Sequence, residues 1–191
     1  VAIDREWVEF ASRAQLREWL SRHHSSSAGI WAVYPKASTG ESDISWTALV
    51  EECLCFGWID SRPGKVDERR TRTYICQRKP GSGWSRRNKE IIDRLLADGR
   101  MTPVGLRSVE QAKADGSWSL FDAAEAMVIP EVLSTALADQ PGARDGFMNY
   151  PDRTKKALLQ WVYTARRAHT QQQRSQAIAV AASTGNRPKG F

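Results

Sequence analysis

Apolar positions near the N-terminus, in VAIDREWVEFASRAQLREWLSRHH, fall at Trp7, Phe10, Ala11, Ala14, Leu16, Trp19 and Leu20. That spacing predicts a helix with Asp4 as its N-cap, ended by the serine run Ser25 to Ser27 and Gly29. GIWAVYPK then changes to a period of two, setting Ile30, Ala32 and Tyr34 against Trp31 and Val33, which predicts a strand. After the loop ASTGESD, helical spacing returns at Trp46, Leu49, Val50, Cys53 and Leu54, and Gly57 stops it. Glu51 and Glu52 are neighbours on that helix, so at most one of them is expected to share its apolar face.

WIDSR is short, apolar and β-prone, and PGK carries turn chemistry. VDERRTRTYICQRK alternates Arg70, Arg72 and Tyr74 with Thr71, Thr73 and Ile75, so a hairpin is predicted. Beyond PGSG, WSRRNKEIIDRLLADG buries Ile91, Ile92, Leu95 and Leu96 on a helix that ends before Gly99. The next helix opens on Thr102 as cap and Pro103 at its first position. Past Trp118 the pattern predicts short helices divided by Pro130, Pro141 and Gly142, then two helices over about 151–167 and 170–184 and a basic tail over 186–191. The class is α+β: a small antiparallel sheet or hairpin (about residues 30–36, 58–62 and 66–78) packed by helices, with a helical C-terminal half. One domain over 1–185 is expected.

Composition changes this picture little. Apolar residues are 41% and charged residues 26% of the 191, ordinary for a globular chain. The net charge is +6, and 20 of the 28 basic residues are arginine, which favours anions that accept two parallel hydrogen bonds. Cys53, Cys55 and Cys76 are odd in number and lack zinc-site spacing, so reduced thiols are expected and no metal or cofactor is implied. Cys55 is read as packing before it is read as a reactive thiol. His23, His24 and His169 are too scattered for a metal site. No run approaches the ~18 apolar residues of a membrane span and no leader pattern opens at Val1, so no membrane partner is expected and the cytoplasm is the expected location.

Two stretches could carry chemistry. Asp60 follows the helix stop between Trp58, Ile59 and a turn. It is either a turn-capping residue paired with Arg62 or Arg78, the favoured reading, or a carboxylate in an apolar wall. An enzyme is the alternative to a binding protein: Asp60 or Glu52 would then serve as general acid or base, with Arg78 stabilising developing negative charge. In RKPGSGWSRRN, Arg78 and Lys79 lead through a Pro-Gly-Ser-Gly turn to a helix start carrying Ser82, Trp84, Ser85 and Asn88. Exposed N–H groups and the helix dipole make such a start an anion site, although the spacing is not that of a phosphate-binding P-loop. The bland alternative is that a serine merely caps the helix. Trp58 and Trp84 are the expected walls of a pocket for a small polar or anionic molecule. Arginines at 69, 70, 72, 86, 87, 166 and 167, with Lys189, could follow a nucleic-acid backbone. The aromatic interleaving of a base-stacking sheet is largely missing, so a solvated face is favoured.

EECLCFGWIDSR, RKPGSGWSRRN, GRMTPVGL and WVYTARRAHTQQQR, in that order, resemble the bacterial YdeI/OmpD-associated (OmdA-type, bacteriocin-protection) family over about residues 8–185. The chain departs from the usual pattern at Cys53, Ser61, Gln77 and Gly81. The resemblance implies a small soluble bacterial protein linked to stress or bacteriocin protection and supplies no catalytic residues. It marks Glu52, Phe56, Gly57, Trp58, Asp60, Arg78, Pro80, Ser82, Trp84, Ser85 and Asn88 as defining positions.

Overall fold

The structure, a computed structural model, describes residues 6–40 and 44–188. The expected cap Asp4 and the end of the basic tail lie outside those residues. Contacts divide the chain into two compact units. One comprises residues up to Ser82 together with Arg87–Asp115, and the other comprises Gly83–Arg86 with the residues from Gly116 onward.

The first unit runs β1 (Trp7–Glu9), α1 (Arg13–His23), β2 (Gly29–Pro35), α2 (Trp46–Cys55), β3 (Trp58–Lys65), β4 (Arg70–Gln77), α3 (Arg86–Ala97) and α4 (Pro103–Ala114). Its sheet has the order β1-β2-β4-β3. The hairpin and the antiparallel β2–β4 pair are as the alternation predicts, but β1 adds a parallel edge, so the sheet is mixed.

That edge corrects the N-terminal helix. Ser12, not Asp4, caps α1, its Oγ accepting from the Gln15 N–H at 3.3 Å. Trp7 and Glu9 lie in a strand opposite Trp31 and Val33. The Phe10 N–H donates to the Val33 carbonyl and the Trp31 N–H to that of Glu6, both at 2.9 Å. Three residues of strand are too short for alternation to stand out against a helical stripe that continues directly into α1.

The hairpin turn is also displaced. Pro63, Gly64 and Lys65 are not the turn but the end of β3. Proline is tolerated there because β3 is an edge strand, where a missing donor breaks no ladder. The chain reverses instead around Asp67, whose Oδ1 accepts from the N–H groups of Arg69 at 2.9 Å and Arg70 at 2.7 Å.

On one face of the sheet Ile30 sits opposite Ile75, Ala32 opposite Thr73, and Tyr34 opposite Thr71. All but Thr71 are buried. Against that side packs α2, which is buried almost all round. Glu51 and Glu52 are both buried, so the expectation that only one would share the apolar face fails. Gly57, at φ +70°, ends the helix as expected, its N–H donating to Leu54 at 3.2 Å. Across that end passes α4, capped by Thr102 with Pro103 in its first turn, as the sequence signals. The crossing is tight enough that a Cβ on Gly105 would stand 2.4 Å from the Cys55 carbonyl oxygen, and the Thr102 hydroxyl donates to that same oxygen. Ile91, Ile92 and Leu95 of α3 are buried as predicted, whereas Leu96 is exposed.

The second unit holds α5 (Asp122–Glu125), α6 (Glu131–Asp139), α7 (Ala143–Met148), α8 (Asp152–Tyr163) and α9 (Ala168–Ser183). Their shared core includes Leu133, Leu137, Phe147, Leu158, Leu159, Val162 and Ile178. Both predicted C-terminal helices are present, the first ending at Tyr163 rather than near residue 167. Among the described residues no helix is long and apolar enough to cross a membrane.

Candidate functional site

Two groups of charged side chains are built around α2 and the strand that follows it. The first anchors the helix. Glu52, 1% exposed, accepts from Arg13 Nε at 2.6 Å, Arg17 at 2.7 Å and Arg100 at 2.8 Å. Glu51, 6% exposed, accepts from Arg13 at 2.5 Å, from Arg94 and from Arg100 at 3.3 Å. Burial opposes the charge of Arg17, and the hydrogen bond and charge of Glu52 together outweigh it, so its pKa is raised. Four guanidiniums from α1, α3 and the segment before α4 thus close on two adjacent carboxylates. Their planar, multiply donating geometry explains why arginine fills these places.

The second group is more open. Trp46, the first residue of α2 after its cap Ser45, is 40% exposed. Its indole Nε1–H donates to Asp60 Oδ2 at 3.2 Å. The Arg87 guanidinium lies over the Trp46 ring at 4.3 Å from its centroid. Strand pairing carries Arg78 beside the same segment: Trp58 is opposite Gln77, and the Arg78 N–H donates to the Gly57 carbonyl at 3.0 Å. The Arg78 side chain is half-buried. Burial pushes its pKa down to about 10, while the charge of Asp60 pulls the other way. Two guanidiniums, one carboxylate and one half-exposed indole therefore share one neighbourhood within the first unit.

The remaining expected site residues take varied places. Trp58 is buried, its Nε1–H donating to the His24 carbonyl at 3.0 Å and its ring edge-on to Trp19. Trp84 is buried in the second unit against Trp118, with ring centroids 5.0 Å apart. Ser82 Oγ donates to the Lys79 carbonyl of its own turn at 2.6 Å, and Lys79 is exposed. Ser85 and Asn88 are half-buried near the start of α3. Glu52 has both oxygens engaged by arginine and stands apart in function from Asp60, which meets an indole. Cys53 and Cys55 are buried free thiols whose pKa values burial pushes up, consistent with packing. No group of three or more metal-ligating side chains occurs among the described residues.

Sequence reasoning used Trp46 only as a helix-spacing residue and passed over Arg87 as one of a basic pair. The available signal was position: a tryptophan directly after a serine cap cannot turn fully into the core, because the first turn of a helix stands at its solvent end.

A family model described as a domain of unknown function (DUF8412) matches residues 8–108, more than half of the chain. The chain belongs to that family. The DUF8412 match covers almost all of the first compact unit, with both charged groups inside it. A second model, described as Bacteriocin-protection, YdeI or OmpD-Associated, matches residues 126–185 and falls within the second unit. The YdeI/OmpD-associated resemblance is thus carried by the helical C-terminal part, while the quoted motifs between residues 51 and 106 lie in the DUF8412 part. No curated protein and no solved structure gives a significant match.

Proposed function

We propose that the DUF8412 part binds a small anionic molecule between Arg78 and Arg87, against the open ring of Trp46, with Asp60 setting the orientation. The observation that carries this reading is the Arg78–Asp60–Trp46 group. It sets a half-buried guanidinium, whose charge burial opposes, in the field of a carboxylate and near an indole left open to solvent. An incoming carboxylate or phosphate would repay that desolvation with two charge-assisted hydrogen bonds. The fixed carboxylate of Asp60 leaves the neighbourhood with one excess positive charge and disfavours highly charged anions. The bacteriocin-protection family matched by residues 126–185 supports a protective role for the chain that carries this site.

The test is titration of the full chain with inorganic phosphate and with succinate, read by tryptophan fluorescence and calorimetry. Saturable quenching that is lost in Arg78→Met and kept in Arg62→Ala supports the reading. Equal affinity in Arg78→Met overturns it. Affinity should also fall as pH rises through about 10, where Arg78 gives up its proton. For the protective role, bacteria expressing the chain should survive bacteriocin challenge better than bacteria expressing the Arg78→Met variant. Equal survival would detach the role from this site.

A further inference from the structure

The sheet face turned away from α2 carries side chains that the anion site does not use. Register places Trp7, Trp31, Tyr74 and Arg62 in one row across the four strands, and Glu9, Val33, Arg72 and Gly64 in the next. The Arg72 guanidinium lies between two indoles, 4.1 Å from the ring centre of Trp7 and 4.4 Å from that of Trp31. Trp31 in turn meets Tyr74 edge-on at 5.5 Å. Gly64 makes room for this arrangement, since a Cβ there would stand 2.7 Å from Arg72 Nε. Trp7 is 51% exposed and Arg62 is exposed.

Charge on this face is unbalanced in one direction. Glu9, the carboxylate of these two rows, is engaged by Arg70 at 2.9 Å. Among the described residues neither Arg62 nor Arg72 has a carboxylate within ion-pair distance, and Arg72 Nε is a buried donor with no hydrogen-bond partner. Stacking occupies the flat sides of the Arg72 guanidinium and leaves its edge as the side that donates hydrogen bonds. The aromatic interleaving that the hairpin alone lacks is therefore supplied once β1 brings Trp7 alongside Trp31.

Tyr74 is buried, so the open ring of this row is that of Trp7. We infer that this face binds single-stranded nucleic acid, with a base stacking on Trp7 and phosphates pairing with Arg62 and the edge of Arg72. An open indole suits an unpaired base, which exposes a π-face whatever its sequence, and guanidiniums without a carboxylate partner suit the backbone. A duplex hides its base faces and would leave the rings unused. An acidic peptide would engage the arginines but offers nothing flat to an open indole.

The test is fluorescence anisotropy of labelled oligo-dT and oligo-U of about twelve nucleotides, with the full chain, at low and moderate salt. Expected are saturable binding that weakens with salt, an affinity loss of about tenfold in Trp7→Ala, and a salt slope lowered by about one in Arg62→Ala. Both residues are on the surface, so circular dichroism should show an intact fold. Trp7→Tyr should retain most of the affinity, and the double variant Arg166→Ala/Arg167→Ala, outside this face, should bind as the parent does. The inference is overturned by absence of binding at low salt. It is equally overturned by undiminished binding in Trp7→Ala and Arg62→Ala, by equal loss in the Arg166/Arg167 variant, or by a duplex of the same length binding as tightly.

Discussion

Glu52 and Asp60 are eight positions apart in sequence and carry the same functional group, yet their surroundings assign them opposite work. Glu52 is enclosed, with both oxygens held by guanidiniums from Arg13, Arg17 and Arg100. Asp60 meets one indole N–H and the field of a single half-buried arginine, in a place open enough to leave Trp46 40% exposed. A carboxylate saturated by its own chain has nothing left to offer a ligand. One that meets an indole N–H beside open solvent stands where a ligand can reach it. The comparison separates a joint that holds helices together from a place where something else can be held.

The sharpest way to break the comparison is Glu52→Ala. It leaves the guanidiniums of Arg13, Arg94 and Arg100 to share Glu51, with Arg17 stripped of its carboxylate, and should cost about 3 to 5 kcal/mol in urea unfolding. A loss under about 1 kcal/mol would move this cluster into the class of ordinary surface ion pairs. Arg78→Met should do the reverse. It removes a charge that burial disfavours, so stability should stay within about 1 kcal/mol of the parent, while anion affinity falls by at least about tenfold, or 1.4 kcal/mol. Stability lost without a change in binding would make Arg78 another joint.

Asp60→Asn keeps the shape and an acceptor for the Trp46 N–H but removes the charge. Stability should change by about 0.5 to 1.5 kcal/mol at most, and selectivity between singly and doubly charged anions should weaken. Unchanged selectivity would show that Asp60 does not set it. The smallest effect concerns Asp67, a third carboxylate, which is half-exposed in the β3–β4 turn. Hydrogen bonds from the Arg70 side chain and backbone lower its pKa. Its contribution is therefore present above the pKa of the unfolded chain and fades as pH falls through the lower folded value. Carboxylate NMR should show Asp67 titrating below the ordinary aspartate range and returning toward it in Arg70→Ala.

Legibility in the sequence followed the length of each signal. The helices from α2 to α4 and the β2, β3 and β4 strands were readable because a cap, a stop glycine or a sustained period marked them: Thr102 accepts from the Gly105 N–H as a cap should, and Gly57 has the positive φ that a stop requires. β1 was not, since three residues cannot establish a period of their own beside a helical stripe. The exposed turn at Asp67 was hidden by Pro63-Gly64, which has turn chemistry but lies on an edge strand that tolerates it. Asp60 and Arg78 stood out as charged residues in apolar stretches. Trp46 and Arg87 did not, because their meeting depends on how the start of α2 and the start of α3 are placed in space, which no local spacing encodes.

One small irregularity joins the two halves of this account. Between Asp60, opposite Ile75, and Arg62, opposite Tyr74, the pairing of β3 with β4 slips by one residue at Ser61. In an uninterrupted strand positions 60 and 62 share a face, and Asp60 would have had an arginine for an immediate neighbour. The inserted residue sends them to opposite sides of the sheet, the carboxylate toward Trp46 and the guanidinium toward the aromatic row. For a lineage of such chains, loss of Ser61 would leave Asp60 and Arg62 consecutive, still opposite Ile75 and Tyr74 and still on opposite faces of the sheet. A residue gained in β4 between Tyr74 and Ile75 would instead give Ser61 a partner, restore plain alternation with positions 60 and 62 on one face, and fuse two separate surface chemistries into one self-neutralising pair.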